Sequence, residues 1–177
     1  MSYADNGFLM PLRLETARLR LRPFAEGDWR AMHEHFGDAE ATRHTFGRAL
    51  TEAGTWRAVA SMAGHWLLRG YGPYAVEEKE GGDLVGTVGP WYPLEWPERE
   101  IKWALLRRCW GRGYAAEAAR AVQRAMREHL DGPPPISLID AANANSIRLA
   151  LAVGATLERE LEFAGRPFHL YRHPALD

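Results

Sequence analysis

The sequence predicts a mixed α/β domain of the α+β kind, with helices flanking a central, mainly antiparallel twisted sheet. Three observations carry that expectation. Two long stretches, Glu52 to Leu68 and Tyr114 to His129, repeat apolar residues at helical spacing. Around them lie short apolar or alternating runs of strand length. Two pairs of these runs are joined by tight glycine turns, which makes antiparallel hairpins of them. The 177 residues can bury a sizeable core in one domain, and no repeat or linker divides them. Pro133-Pro134-Pro135 is too short to separate domains. The expected division is a loosely ordered N-terminal tail over residues 1–13 and a single domain over 14–177.

Taken in order, Leu19-Arg20-Leu21-Arg22 alternates apolar and basic residues, as a half-buried strand does, and Pro23 stops it. Ala25 to Phe36 reads as a helix with Trp29, Met32 and Phe36 on one face. A polar stretch, Gly37 to Leu50, leads into the helix Glu52 to Leu68, which ends at Gly70 and Gly72. Tyr74 to Glu77 and Leu84 to Val88 are strands joined by a charged Gly81-Gly82 turn, and Glu100 to Leu106 is a third. The helix from Tyr114 buries Tyr114, Ala118, Val122, Ala125 and Met126. Ile136 to Ile139 is a short strand, and a helix from Ala144 to Val153 ends at Gly154, a natural stop. Leu157 to Phe163 and Phe168 to Arg172 flank a Gly165-Arg166-Pro167 turn.

Composition narrows the function classes. A formal net charge of −1 argues against a surface that binds polyanions through bulk charge, so no direct nucleic-acid binding is expected. Cys109 is the only cysteine, which leaves no disulfide framework within one chain and agrees with a reducing compartment. Neither a long apolar run nor a secretory leader is present, so the expectation is a cytoplasmic protein without membrane partners. His33, His35, His169 and His173 lack ligand spacing, and no metal is expected.

The segment Arg107-Arg108-Cys109-Trp110-Gly111-Arg112-Gly113-Tyr114 lies between a strand and a helix. Glycines allow a tight turn and close approach of backbone to a ligand. The first N–H groups of the helix have no internal partners, and its dipole makes that end positive, which suits a phosphate. Arg108 and Arg112 are placed to add charge-assisted contacts. Two glycines before a helix also serve purely structural turns. Asn143-Ala144-Asn145-Ser146, after the Ile136 strand, has the same two readings: helix capping, or a clamp on the far end of an extended ligand. Cys109 reads as a packed thiol. Trp91 and Trp96, in the proline-rich run Pro90 to Pro97, either pack on their own sheet or wall an acceptor pocket or interface. The prolines of that run argue against strand pairing there.

Four segments, in one order, carry a resemblance. They are Leu14-Glu15-Thr16-Ala17-Arg18-Leu19-Arg20-Leu21-Arg22 (as L-x-T-x-R-L-x-L-R), Glu100-Ile101-Lys102-Trp103 (as E-I-G-W/Y), the Arg108–Gly113 loop with Tyr114 to Ala118, and Asn143-x-x-Ser146 through Gly154. Together they resemble the GNAT superfamily of acyl-CoA N-acyltransferases, most closely its ribosomal-protein N-acetyltransferase (Rim-type) branch. The resemblance implies a GNAT-like sheet and an acetyl-CoA-dependent N-acetyltransferase. Its acceptor is a primary amine, on a protein N-terminus or a small molecule, and a homodimer is compatible with it. A non-catalytic acyl-CoA-binding or protein-interaction module on the same fold is the alternative. Lys102 departs from the family Gly, Ala155 from an aromatic, and Ala150 from the tyrosine that many members use as general acid.

Acyl transfer to an amine needs a neutral amine, a stabilised oxyanion and a proton or hydrogen bond for the leaving thiolate. The resemblance implies Glu100 as base or acceptor anchor and Ser146 as proton donor to the thiolate. It implies pantetheine held along Trp103, Ala104 and Leu105, pyrophosphate at Arg108, Cys109, Trp110, Gly111, Arg112, Gly113 and Tyr114, and further cofactor contacts from Asn143 and Ser146. Trp91, Trp96 and Glu100 are the candidate acceptor contacts. Glu100 also reads as an ion-paired strand-end carboxylate.

Overall fold

The computed structural model of the protein describes residues 7–175. Its strands are β1 (Leu14–Glu15), β2 (Leu19–Arg22), β3 (Tyr74–Glu78), β4 (Leu84–Trp91), β5 (Glu100–Leu105), β6 (Ile136–Asp140), β7 (Thr156–Phe163) and β8 (Arg166–Arg172). Its helices are α1 (Asp28–Phe36), α2 (Ala39–Thr42), α3 (Glu52–Arg69), α4 (Tyr114–His129) and α5 (Ala144–Ala152). The strands form one sheet in the order β1-β2-β3-β4-β5-β6-β8-β7. Every neighbouring pair is antiparallel except β5 and β6. The mainly antiparallel α+β sheet read from the sequence is therefore the fold.

Alternation places side chains by face. Thr87 and Lys102 both reach the sulfur of Met62, each at 3.8 Å, so α3 covers the face that carries Glu100, Lys102 and Ala104. Helix α4 packs across β4 and β5. Its buried Ala118, Ala119, Ala121 and Ala125 add little bulk, which lets the helix backbone lie close to the sheet. Leu19, Leu21, Val85, Val88, Ile101 and Leu106 complete the core between these layers.

Four details differ from the sequence expectation. β1 and α2 are too short for periodicity to reveal; α2 starts where the Asp38 carboxylate caps the N–H groups of Glu40 and Ala41. Helix α1 begins at Asp28 because the Asp28 side chain closes the preceding turn by accepting from Ala25 N and pairing with Arg22. Residues 1–6 of the expected tail lie outside the described residues, but Gly7–Arg13 is packed: Leu9 N donates to Gly70 O, and Met10 is buried. Strand β4 continues through Pro90, correcting the view that prolines there prevent pairing. The Leu106 N–H bond to Val85 O sets the phase in which Val85, Thr87, Gly89 and Trp91 bond to β5. Pro90 therefore turns its nitrogen to the β3 side, where β3 has already stopped at Tyr74, opposite Val88.

Candidate active site

The site begins where the sheet splits. Parallel strands β5 and β6 pair at one position, Glu100 with Ile136, and then part. The same phase turns the backbone groups of Ile101, Trp103 and Leu105 toward β6, and Ile136 N donates to Arg99 O in that register. A continued ladder would next join Leu138 N to Ile101 O. Side chains satisfy both groups instead: Ser137 Oγ donates to Ile101 O at 2.7 Å, and Leu138 N donates to Glu100 Oε2 at 3.1 Å. Buried His173 wedges behind them. Gln123 Nε2 donates to Val153 O and to His173 Nδ1, so the ring carries its proton on Nε2 and donates to Ser137 Oγ. Burial pushes His173 down to about 4.

Beyond this sealed root the strands enclose a cleft of about 650 Å³. One wall is Trp103, Ala104 and Leu105 of β5. Another is the loop Cys109, Trp110, Gly111 and Gly113 with the first turn of α4. Gly111 (φ 74°) and Gly113 (φ 78°) are left-handed, a conformation that side chains disfavour. A Cβ at Gly111 would meet nothing within 4 Å, so that turn lies open toward a ligand. The loop is braced from the turn between β1 and β2. Glu117 accepts from Thr16 Oγ1 and from Arg18 N and Nε, while Arg18 also donates to Arg112 O. That bracing is the local reason for Thr16 and Arg18 in the opening motif.

Helix α5 supplies the third wall. Asn143 caps it by accepting from Ser146 N at 3.2 Å, and Trp103 Nε1 donates to Ser146 Oγ at 3.1 Å. An indole can only donate, so Ser146 accepts there, and among the described residues its own hydroxyl proton is left free.

Ten of the sequence-predicted residues border this one cleft: Trp103, Ala104, Leu105, Cys109, Trp110, Gly111, Gly113, Tyr114, Asn143 and Ser146. Five stand elsewhere. Arg108 pairs with Glu34, and Arg112 pairs with Glu78 and lies over the Tyr114 ring. Trp91 stacks on His65 and carries Lys102 Nζ over its ring, while Trp96 packs edge-on against Phe163. Glu100 lies beneath the cleft, with Lys102 between it and the cleft-lining Ala104 on the same face. Burial raises Glu100 to about 7, against the opposing pull of Leu138 N–H, Lys102 and Trp96. The Trp96 N–H comes near without an acceptor at hydrogen-bond geometry. Burial likewise lowers Lys102 and raises Cys109 from their ordinary values.

Sequence reasoning missed the remaining wall, formed by His35 and by Glu40, Ala41, Arg43, His44 and Thr45 in and after α2. The only local signal was Asp38 as a helix cap. Among the described residues no three His, Cys, Asp or Glu side chains converge to hold a metal, and no helix is long and apolar enough to cross a membrane.

Comparison with known proteins agrees with this geometry. The family described as "Acetyltransferase (GNAT) domain" matches residues 18–156. The uncharacterized protein YkkB of Bacillus subtilis (strain 168) is 33% identical over 108 residues, covering 58% of this chain; the match spans 62% of that protein's length. An acetyltransferase from Agrobacterium tumefaciens str. C58 has a TM-score of 0.82 and 29% identity, over 92% of this chain and 94% of that one. The Salmonella typhimurium acetyl transferase that modifies the N-terminal serine of ribosomal protein L7/L12 shares the fold at a TM-score of 0.73 and 17% identity, over 92% and 96% of the two chains.

Proposed function

The chain belongs to the GNAT acetyltransferase domain family, and we propose that it is an N-acetyltransferase of the Rim-type branch. In this reading it moves an acetyl group from acetyl-CoA to a primary amine, of a protein N-terminus or a small molecule, by direct attack in a ternary complex. The observation that carries the reading is one continuous cleft. It joins the parted edge of β5, the glycine turn before α4 and the free hydroxyl of Ser146.

Each wall has a chemical part. The N–H groups of the first turn of α4, with the left-handed turn before it, hold the pyrophosphate. The backbone groups of Trp103 and Leu105, turned toward the parted β6, receive the pantetheine and polarise the thioester carbonyl. Ser146 donates its free proton as a hydrogen bond to the departing sulfur. Glu100 serves the amine only through an intervening relay, and its nearer task is to hold Leu138 N–H at the split. The Rim-type assignment rests on the four motif segments. The ribosomal-protein relatives make a protein N-terminus the first acceptor to try. The single cysteine favours a cytoplasmic setting.

The test is a thiol-release assay on the full chain with acetyl-CoA and a panel of amines: N-terminal serine and alanine peptides, amino acids, polyamines and aminoglycosides. Amine-dependent thiol release with an acetylated product is expected. Tight acetyl-CoA binding with no transfer to any amine would favour a non-catalytic acyl-CoA-binding module.

A further inference from the structure

We propose that His44 is the group that takes the proton from the acceptor amine, and that Asp140 positions it; this rests on the acetyltransferase reading of the cleft. An aliphatic amine has a pKa of roughly 8 to 10 in water, so near neutrality it arrives mainly as the ammonium ion. That ion must lose a proton before its nitrogen can attack. The acceptor must therefore border the cleft, carry a free or exchangeable lone pair and be held in orientation.

Most of the bordering groups do not meet those conditions. Tyr114 is bound to Glu78, Cys109 is buried with its ionisation suppressed, and the half-exposed Glu40 is steered by the similarly exposed Arg43 rather than by a buried group. His35 is buried, which disfavours a protonated ring. Glu100 does not border the cleft at all.

His44 does meet them. Arg43 Nε donates to His44 Nε2 at 2.8 Å, and a guanidinium only donates, so Nε2 carries the lone pair and Nδ1 the proton. Nδ1 faces Asp140 Oδ2 at 3.5 Å. Asp140 is buried at the end of β6 and is itself fixed, with Ala142 N donating to Oδ1 at 2.8 Å and Arg166 bound to Oδ2. Imidazole is the side chain suited to exchanging protons near neutrality, and a carboxylate on one nitrogen fixes the tautomer and steadies the charge that forms. Arg43 is exposed, and its contacts are worth little in water, so an incoming ammonium displaces it from Nε2 readily.

The protons then balance. His44 Nε2 takes one from the ammonium and passes it to solvent. The neutral nitrogen attacks the thioester carbon, the C–N bond forms and the C–S bond breaks. The nitrogen's second proton leaves as the adduct collapses and ends on the sulfur, beside the Ser146 hydroxyl.

Two measurements decide it. The first is steady-state thiol release with an N-terminal serine peptide and with spermidine, alongside acetyl-CoA calorimetry. His44→Gln should lower kcat on the order of 100-fold with acetyl-CoA affinity unchanged. Added imidazole should restore part of the rate in His44→Ala, and Asp140→Asn should lower kcat with KM retained. Undiminished kcat in His44→Gln, or no rescue, overturns the proposal. A wild-type chain that binds acetyl-CoA yet acetylates neither amine counts against the broader reading instead. The second measurement needs no acceptor: long-range ¹⁵N NMR of the histidine rings, with His44 assigned by His44→Gln. Above neutral pH the Nδ1–H tautomer is expected, weakened in Asp140→Asn. A His44 ring protonated on Nε2 contradicts the proposal.

Discussion

The root and the mouth of the β5–β6 split are made of the same materials, backbone edges and polar side chains, and have opposite fates. At the root the groups released by the broken ladder find partners within the protein: Ile101 O with Ser137 and Leu138 N with Glu100, while His173 holds Ser137 and Gln123 holds His173. At the mouth the first turn of α4, the β5 edge and the Ser146 proton keep unused capacity. Saturated polar groups hold a fold, while unsaturated ones around a cavity are what a ligand can use. The contrast separates Glu100 from Ser146 more sharply than their motif positions do.

The largest expected effect is at the mouth. Gly113→Asp puts a side chain at φ 78° and a carboxylate at the anion-binding turn. Acetyl-CoA affinity measured by calorimetry on the folded variant should fall on the order of 100-fold, about 3 kcal/mol. Undiminished affinity would remove the pyrophosphate from this loop.

Next is the pH response of the root. His173 has a folded-state pKa pushed down to about 4 from an ordinary 6.5. Between those values the unfolded chain binds the extra proton, so this group's contribution is present above pH 6.5 and is lost as pH falls to 4. The loss is about 3 kcal/mol. Denaturant titrations should show this slope in the wild type and its absence in His173→Gln, whatever that variant's overall stability.

Smaller effects sharpen the division. Ser146→Ala should lower turnover per folded molecule on the order of tenfold, less than a full general acid provides, because a hydroxyl is a poor acid. It also leaves the Trp103 indole without its acceptor, so melting and kinetics belong on the same preparation. Unchanged turnover would reduce Ser146 to a helix-start residue. Glu100→Gln keeps an acceptor for Leu138 N–H and should affect turnover least, less than Ser146→Ala. A loss as large as that of His44→Gln would return Glu100 to a direct catalytic part.

The sequence made the mouth legible because its signals are local. Gly111 and Gly113 announce a turn that needs left-handed backbone, and Asn143 announces a helix start. The root was not legible, since His173, Gln123 and Ser137 come from three distant elements and none carries a motif. Nor was the α2 wall, where His44 sits in a polar stretch without periodicity and meets Asp140 only through the tertiary fold. Arg108 and Arg112 had the right charge and spacing for an anion, but Glu34 and Glu78, distant in sequence, claim them.

The most direct test follows backbone amide NMR signals of the full chain as coenzyme A is added. Shifts concentrated at Trp103 to Leu105, Cys109 to Ala116 and Asn143 to Ser146, with Ser137, Gln123 and His173 little changed, are the predicted result. Shifts centred on the root, or none at the glycine turn before α4, would contradict the account.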